Sequence, residues 1–235
     1  MANKKVRLGL IGAKGQLGLA ILEILPREFP DSVTLAATID RDNASSFSAT
    51  LDSVDVFLDN STPSASEQFV TELLKSKFRT PYVIGCTGWT DTQLKIVHDY
   101  SKVAPVILAP NFAPSVNLLL GLIEKAAPLL SKWGYDVSVH ETHHNKKRDI
   151  PSGTAKAIVE RLGSLKPQVH ATRAGNIVGT HEVRFIGPCD ILSLTHEALD
   201  RSIFARGAVM AADWASRQTT PGMYSMKEVV FGVTF

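Results

Sequence analysis

Cysteine is scarce in this sequence, since Cys86 and Cys189 are the two among 235 residues. They form neither a disulfide framework nor a spaced metal-binding motif, so we expect two reduced thiols in a cytoplasmic protein. Uninterrupted apolar runs of about 18 residues, the length that a membrane-spanning helix needs, are also missing. The apolar stretch near the N terminus is broken by Lys14, Gln16 and Glu23. No small-residue cleavage pattern follows it, which argues against a signal peptide.

Neither sign of charge dominates the chain, because 25 lysines and arginines face 23 aspartates and glutamates. A protein that binds nucleic acid usually carries a broad basic face, so we expect no nucleic-acid partner. Hydrophobic residues make up 44% of the chain, which is enough to bury a sizeable core. The length fits one large domain or two modest ones.

The N-terminal segment has the order strand, glycine turn, helix. The short apolar run Val6–Ile11 predicts a buried strand and is followed by Gly12, Gly15 and Gly18. From Leu17 onward, the apolar residues recur at helical spacing. This order places free N–H groups at a helix N terminus, where a pyrophosphate binds. The spacing G-x-x-G-x-x-G differs from the usual G-x-G-x-x-G, so an ordinary tight turn remains an alternative.

The second predicted strand, "VTLAATID", ends in an acid. Asp40 lies about 20 residues past the glycines, where a ribose hydroxyl is bound in dinucleotide-binding domains. Arg41 follows directly and could hold the 2′-phosphate of NADP. The pair predicts use of either NADH or NADPH. The alternative is a solvated strand end with two charges.

Three further strands lead into polar loops, at Ser61, at 85–88 and at Asn111. Because helices alternate with these strands, we predict a Rossmann-type, doubly wound parallel sheet. Ligands bind at the carboxyl ends of such strands. The loops therefore predict one continuous crevice.

After Phe112 the pattern changes to that of a smaller α+β domain with a mixed sheet. The predicted elements of that domain are a helix at 115–130, a strand at 135–144, a helix at 152–163 and strands at 174–187 and 190–199. A helix at 204–218 then returns to the first domain. We expect residues 1–112, completed by about 206–235, to form the dinucleotide-binding domain. Residues 113–205 then form a second domain for substrate binding and assembly.

The densest chemistry lies in "HETHHNKKRDIPSGTA", residues 140–155. Its histidines titrate near neutral pH and can transfer protons, and a helix beginning after Pro151 offers N–H groups to an anion. The histidines could also bind zinc, but His140 and the pair at 143 and 144 lack a further cysteine or acidic cluster. We therefore expect no metal.

The segment "ETHHNKKRDIPSGTA" closely resembles the signature of the 4-hydroxy-tetrahydrodipicolinate reductase family, E-x-H-H-x-x-K-x-D-x-P-S-G-T-A, at every fixed position. The glycine turn, the G-C-T-G loop, "PNF", "AGNIVGTHEV" and "FARGAV…AADW" are similar to that family in the same order. The resemblance implies reduction of a small cyclic dicarboxylate by NADPH or NADH, in lysine and diaminopimelate biosynthesis. It also implies a homotetramer assembled through the second domain.

The resemblance also implies roles for individual residues. His143 would be the proton donor and acceptor and Lys147 a proton donor, and His144 would contact the substrate. The substrate carboxylate would meet the helix start at Ser152, Gly153 and Thr154. The implied cofactor contacts are Gly12, Ala13, Lys14, Gly15, Gln16, Leu17, Gly18, Asp40, Arg41, Gly85, Cys86, Thr87, Ala109, Pro110, Asn111 and Phe112.

One departure from the family pattern follows Asp59. The family usually has Phe-Thr or Phe-Ser there, near the nicotinamide, whereas this chain has Asn60 and Ser61. Two alternatives therefore stay open: another dehydrogenase of similar architecture, or a catalytically inactive dinucleotide sensor. The presence of both His143 and Lys147 argues against the sensor.

Overall fold

The computed structural model describes residues 4–232. Of the first domain expected from the sequence, residues 1–3 and 233–235 lie outside the described part. The elements in chain order are β1 (Val6–Ile11), α1 (Gln16–Glu28), β2 (Val33–Ile39), a 3₁₀ stretch (Arg41–Thr50), β3 (Val56–Asp59), α2 (Pro63–Lys75), β4 (Tyr82–Ile84), α3 (Asp91–Ser101), β5 (Pro105–Leu108), α4 (Pro114–Lys132), β6 (Asp136–His143), α5 (Gly153–Arg161), β7 (Gln168–Arg173), β8 (Gly179–Ile186), β9 (Ile191–Ala198), α6 (Ser202–Ser216), β10 (Gly222–Tyr224) and α7 (Met226–Phe231).

The chain divides into two compact units. The first contains the residues up to Ala113 and those from Ser202 onward, and the second is Pro114–Arg201. The sheet of the first unit has the strand order β2-β1-β3-β4-β5-β10, and every neighbouring pair is parallel. The predicted doubly wound parallel sheet is therefore confirmed.

The central strands of this sheet are mostly apolar because both faces are covered, with Arg7 in β1 and Asp59 at the end of β3 as the charged residues. One face packs against α1 and α6, where Leu10, Ile21 and Ala212 are fully buried. The other face buries Phe57 and Tyr82. The strands are short, and their apolar sequence stops where the polar loops begin. The fold thus brings the strand ends together at one edge of the sheet.

The first unit also contains elements that the sequence analysis missed. β10 adds a sixth strand beside β5, but its three residues are too few to give a recognisable alternation. The 3₁₀ stretch after β2 lacks the apolar period of a helix and buries Phe47. α7 begins with a capping box in which Ser225 and Glu228 each bond the other's backbone N–H. That pattern was visible in the sequence.

The second unit has a four-stranded sheet in the order β7-β6-β8-β9. β6 and β7 are parallel and the other pairs are antiparallel, so the predicted mixed sheet is confirmed. Two details of the prediction were wrong: β7 was not predicted, and β8 begins at Gly179, which leaves 174–178 outside the strand. The core of this unit joins α4 and α5 to the inner face of the sheet.

The inner face of the second sheet is apolar at one end and polar at the other. Val139, Val183 and Phe185 are fully buried with α4 and α5. Farther along β6, the same face carries Glu141 and His143. Because side chains alternate along a strand, the register that buries the valines also buries these two polar groups. Among the described helices, none is long and apolar enough to cross a membrane.

Candidate active site

The glycine turn after β1 is closely packed on both sides. Gly12 has φ +77°, and a Cβ atom there would lie 2.9 Å from the backbone of Asn60. A Cβ at Gly18 would lie 2.2 Å from the carbonyl oxygen of Gly12. Larger residues would therefore push the first turn of α1 away from the end of β1. This close approach of helix and strand is what a dinucleotide-binding turn requires.

The N terminus of α1 has no side-chain cap within the described residues. Gly15 is the N-cap residue, and its backbone carbonyl accepts from Leu19 N at 2.9 Å. A helix without a capping side chain keeps N–H groups available to an anion. The turn therefore fits a pyrophosphate.

Asp40 is held rigidly at the end of β2. Its carboxylate accepts from Lys14 N at 3.1 Å, and its own N–H donates to Asn43 Oδ1 at 2.7 Å. Arg41 is exposed beside it, and the Lys14 side chain forms an ion pair with Asp42. The acid and the two cations expected from the sequence thus lie together at this edge.

The end of β3 contains a buried carboxyl group. Asp59 is fully buried and accepts from Tyr82 Oη at 2.6 Å and from Ser61 N at 2.8 Å. Burial raises the pKa of Asp59, and these hydrogen bonds oppose that rise. Burial, together with the nearby Asp59, raises the pKa of Cys86 to about 12. Cys86 is therefore an unreactive thiol in the loop after β4.

Asn60 lies between the ends of β1 and β4. Its backbone N–H donates to Ile11 O at 3.0 Å. Within the described chain, neither atom of its side-chain amide has a hydrogen-bond partner, although both are buried. A Cβ at Gly85 would lie 2.5 Å from Asn60 Oδ1 and equally close to the Phe112 ring. Only glycine leaves room for both groups.

All the cofactor residues predicted from the sequence lie at this one edge of the first sheet. They follow β1, β2, β4 and β5 or form the first turn of α1. Gly85 N donates to Asp59 O, and Ala109 N donates to Ile84 O, so neighbouring strands fix these loops to each other. Asn111 Oδ1 accepts from Ala113 N at 2.8 Å and shapes the last loop. The cradle and the unpartnered Asn60 amide fit a dinucleotide.

In the second unit, Glu141 is the centre of a buried polar network. Its carboxylate accepts from Ser152 N at 3.0 Å and from Arg173 Nη2 at 2.9 Å. Burial alone would raise the pKa of Glu141, but the hydrogen bonds from Ser152 and Arg173 outweigh it and lower the pKa. Glu141 therefore joins the turn before α5 to the middle of the sheet.

His143 lies at the end of β6 and is 6% exposed. Its Nδ1 is 3.5 Å from Glu141 Oε2. Burial lowers the pKa of His143, and the Glu141 carboxylate opposes that shift. A Cβ at Gly179 would lie 2.9 Å from His143 Nε2, so the glycine leaves room for the imidazole. The side chain is poised as a neutral base or, once protonated, as a strong acid.

Two further histidines extend this network across the sheet. Register places His181 opposite Glu141 and His196 opposite His181. His181 Nε2 lies 3.2 Å from Ser152 Oγ, and burial lowers the pKa of His181 to about 4. Burial also lowers the pKa of His196. At neutral pH all three buried rings are therefore uncharged.

Glu141, His143 and His181 each offer one possible metal-ligand atom, and these atoms lie within 4.8 Å of one another. Both oxygens of Glu141, however, already accept hydrogen bonds. The Arg173 guanidinium beside them would repel a cation. The geometry is that of a hydrogen-bonded network rather than a metal centre.

Lys147 lies in the loop between β6 and α5. Its Nζ is 2.8 Å from Asp149 Oδ1, and its side chain is 23% exposed. This ion pair, with a further hydrogen bond from the backbone of Gly153, holds the pKa of Asp149 below its usual value. Arg173 donates to the carbonyls of Lys147 and Asp149 at 3.3 and 2.6 Å. The loop that carries the ammonium group is therefore fixed at several points.

The predicted substrate residues lie at the start of α5 and in the loop before it. Ser152 is buried, and its Oγ accepts from Ala155 N at 3.1 Å, so both its N–H and its hydroxyl have partners within the protein. Gly153 is exposed at the first turn of α5. His144 Nε2 lies 3.4 Å from Arg201 Nη2. An imidazole and a guanidinium are thus placed side by side.

Several residues of this site were not identified from the sequence. The sequence analysis includes Glu141 only as part of the motif, and it predicts no role for His196. Arg173, His181 and Arg201 were not considered at all. The alternation along β6 and β8 could have placed Glu141 and His181 on the inner face of the sheet. Their proximity, however, depends on the register in which the two strands pair, which the sequence alone does not specify.

Family models match nearly the whole chain. Residues 6–112 match the model described as "Dihydrodipicolinate reductase, N-terminus", and residues 115–230 match "Dihydrodipicolinate reductase, C-terminus". The 4-hydroxy-tetrahydrodipicolinate reductase of Thermosipho africanus is 34% identical over 96% of this chain and 98% of its own length. That of Bdellovibrio bacteriovorus is 32% identical over 97% of this chain and 98% of its own.

Solved structures show the same fold. A dihydrodipicolinate reductase from Paenisporosarcina sp. TG-14 with bound dipicolinate has a TM-score of 0.78 at 21% identity, over 94% of this chain and 98% of that one. An engineered D-amino acid dehydrogenase bound to NADP⁺ has a TM-score of 0.60 at 13% identity, over 96% and 94%. The chain belongs to the dihydrodipicolinate reductase family and is an NAD(P)H-dependent oxidoreductase.

Proposed function

We propose that this chain reduces 4-hydroxy-tetrahydrodipicolinate to tetrahydrodipicolinate with NADH or NADPH, in lysine and diaminopimelate biosynthesis. The observation that carries the proposal is that His143 and the start of α5 both contact the buried Glu141, and that Arg173 joins Glu141 to the loop that carries Lys147. Proton-transferring groups and anion-binding groups then lie within one loop and one helix turn. The names of the relatives supply the substrate class.

The first unit would hold the dinucleotide. The N–H groups of the turn from Gly12 to Gly18 would bind the pyrophosphate, and Asp40 would bind the ribose of the adenosine half. Arg41 would attract a 2′-phosphate when NADPH is bound. When bound, the reduced nicotinamide supplies the hydride.

The second unit would hold the two carboxylates of the substrate. One carboxylate would lie near the first turn of α5 at Gly153 and Thr154, where the positive end of the helix favours an anion. His144 and Arg201 would contact the other. Because the polar groups of Ser152 already have partners, we assign Ser152 the task of fixing this turn rather than binding substrate directly.

Proton transfer would fall to His143 and Lys147. The overall reaction consumes one hydride and one proton and releases water. A hydride that arrives on the electron-poor ring leaves an enamine-like species, which takes up a proton. The Lys147 ammonium is held by Asp149 and can donate that proton. His143 loses a proton readily because burial lowers its pKa, so it can pass protons to and from the reacting atoms.

The test is oxidation of NADPH or NADH, followed by absorbance, after addition of freshly made synthase product from pyruvate and aspartate semialdehyde. Oxidation that depends on this chain supports the proposal. Tight dinucleotide binding without any oxidation would favour the inactive sensor instead, for which the Asn60 departure is the main argument. His143→Gln is the control, because it should remove the oxidation without removing cofactor binding.

We further propose a homotetramer in the cytoplasm, assembled through the second unit. The outer face of its sheet carries the cross-strand pair Ile186 and Ile191, which are 37% and 49% exposed. The rings of His140 and His170 stack on the same face at 4.8 Å. A second copy would cover these groups. Light scattering after size exclusion tests the assembly, and replacing Ile191 with Lys should weaken it.

A further inference from the structure

The Asn60 side-chain amide lies at the end of β3, and the described chain leaves both of its buried polar atoms without hydrogen-bond partners. Its neighbours are satisfied, since Asp59 accepts from Tyr82 and Ser61. A buried amide without partners is unfavourable, and native proteins rarely retain one without a ligand or water to bond it. This amide therefore requires a partner from outside the chain.

The position of Asn60 indicates which part of a dinucleotide it would meet. In the order β2-β1-β3-β4, the chain reverses its direction of winding between β1 and β3, and dinucleotides bind across that point. Asp40 stands on the β2 side, where the adenosine ribose is bound. The other nucleotide must then lie on the β3 and β4 side, over Asn60 and Gly85.

The chemistry of the two groups is complementary. The nicotinamide carboxamide has an NH₂ donor and a carbonyl acceptor, and the Asn60 amide has the same pair of functions. Gly85 provides space, because a Cβ atom there would meet both Asn60 Oδ1 and the Phe112 ring at 2.5 Å. Phe112 is 2% exposed, so its ring forms a buried apolar wall beside Gly85.

We propose that Asn60 forms the hydrogen bonds that orient the nicotinamide carboxamide, and so determines which nicotinamide rings this chain accepts. The inference rests on the proposed function, since it assumes that a nicotinamide dinucleotide binds. The aromatic residue that the family usually has at this position can pack against a ring but cannot bond a carboxamide.

The test measures binding of three ligands by calorimetry to the full chain and to Asn60→Leu, which keeps the size of the side chain but removes the amide. The ligands are NADH, its reduced 3-acetylpyridine analogue, in which a methyl group replaces the carboxamide NH₂, and ADP-ribose, which lacks the nicotinamide. The unmodified chain should bind NADH roughly three- to tenfold more tightly than the acetylpyridine analogue, as expected for one hydrogen bond. Asn60→Leu should lose that preference and bind NADH more weakly. ADP-ribose should bind both proteins equally.

Thermal unfolding separates this role from a structural one. Because the Asn60 amide has no partner in the described chain, Asn60→Leu should leave the Tm of the ligand-free protein unchanged or raise it. Ser61→Ala is the matched control, since the Ser61 hydroxyl bonds Asp59 at 2.5 Å. That variant should lower Tm and keep the preference for NADH over the analogue. If Asn60→Leu does not fold, Asn60→Ala is measured in the same way.

Three results would overturn the inference: equal binding of NADH and the analogue to the unmodified chain, a preference that survives in the Asn60 variant, or a parallel loss of ADP-ribose affinity. Failure of the unmodified chain to bind any of the dinucleotides is a different result. It would overturn the proposed function and this inference with it. Normal catalysis with an unchanged preference in Asn60→Leu would overturn the inference alone.

Discussion

Replacing Arg173 with methionine should destabilise the chain strongly at neutral pH and much less in acid. The Arg173 guanidinium lies 2.9 Å from Glu141, and the two side chains are 13% and 0% exposed. Methionine keeps the apolar stem but removes the charge and the hydrogen bonds to Glu141 and to the loop before α5. The Glu141 carboxylate then remains buried without its cation.

The expected decrease in Tm follows from the burial of the Arg173–Glu141 ion pair. Removing one partner of a buried ion pair costs about 3–5 kcal/mol, because the other charge loses its compensation. For a chain of this length, each kcal/mol lowers Tm by about 2–4 °C. Arg173→Met should therefore lower Tm at pH 7 by roughly 6–20 °C. Arg161→Met is the control: Arg161 is 44% exposed and 4.0 Å from Glu124, so its loss should change the stability by less than about 1 kcal/mol.

The pH dependence has a definite sign. In the unmodified chain the pKa of Glu141 is lowered, so its stabilising effect is present above the pKa of the unfolded chain and disappears as the pH falls through the folded value. In Arg173→Met, burial dominates and raises the pKa of Glu141. As the pH falls through that raised pKa, the Glu141 carboxylate takes up a proton, and the variant no longer contains an unpaired buried charge. Circular dichroism melts between about pH 5 and pH 8 should show the Tm difference narrowing toward acid. A difference that is constant with pH, or smaller than about 3 °C, would refute this account.

Three further outcomes test the site. In steady-state kinetics, Lys147→Ala should lower kcat by roughly 10²–10⁴ with little rise in KM. Lys146→Ala, at an exposed position, should change either constant by less than about threefold at moderate salt. Equal loss of kcat in the two variants would mean that the proton donor is wrongly assigned. NADH and NADPH should give kcat/KM values within about tenfold of each other. The reason is that Asp40 repels a 2′-phosphate and Arg41 attracts it, with effects of similar size in a solvated site. A preference above about a hundredfold would mean that only one of these two side chains faces the ribose. Dipicolinate should inhibit competitively against substrate and a monocarboxylate analogue distinctly more weakly, since it leaves one set of donors unpaired; equal inhibition would contradict a dicarboxylate site.

Local sequence patterns were sufficient to predict most strands and helices of the first unit. A short apolar run before glycines, followed by helical spacing, identifies β1 and α1 because neighbouring residues alone impose those conformations. β7 was missed for the opposite reason. Its residues alternate between half-buried and exposed, and the half-buried positions hold Val169, Ala171 and Arg173, so a charged side chain takes the place of one of the apolar residues that mark most strands. Only its pairing with β6 makes it a strand.

The candidate site was predictable where the motif is contiguous and not where it depends on pairing. His143 and Lys147 are four residues apart in the chain, so the sequence alone associates them. His181 meets Glu141 across 40 residues of chain because β6 and β8 pair in one particular register. The departure at Asn60 was visible in the sequence, but the burial of its amide was not, since burial depends on the Phe112 and Gly85 loops.

The proposed site has to bind two carboxylates and transfer a proton, although its histidines and cations lie close together. The burial of the histidines explains how these groups can be neighbours without strong repulsion. If His143, His181 and His196 were all charged, neighbouring positive rings would lie with their centroids 5.0 and 6.4 Å apart, and their repulsion would oppose folding. Burial lowers the pKa of His143, His181 and His196, so these rings stay neutral at working pH. Positive charge for the carboxylates would come instead from an exposed group outside this network, Arg201, which lies 3.4 Å from His144. Charge recognition would then fall to Arg201 and proton transfer to His143 and Lys147, because burial keeps the histidines of the sheet neutral while Arg201 stays exposed.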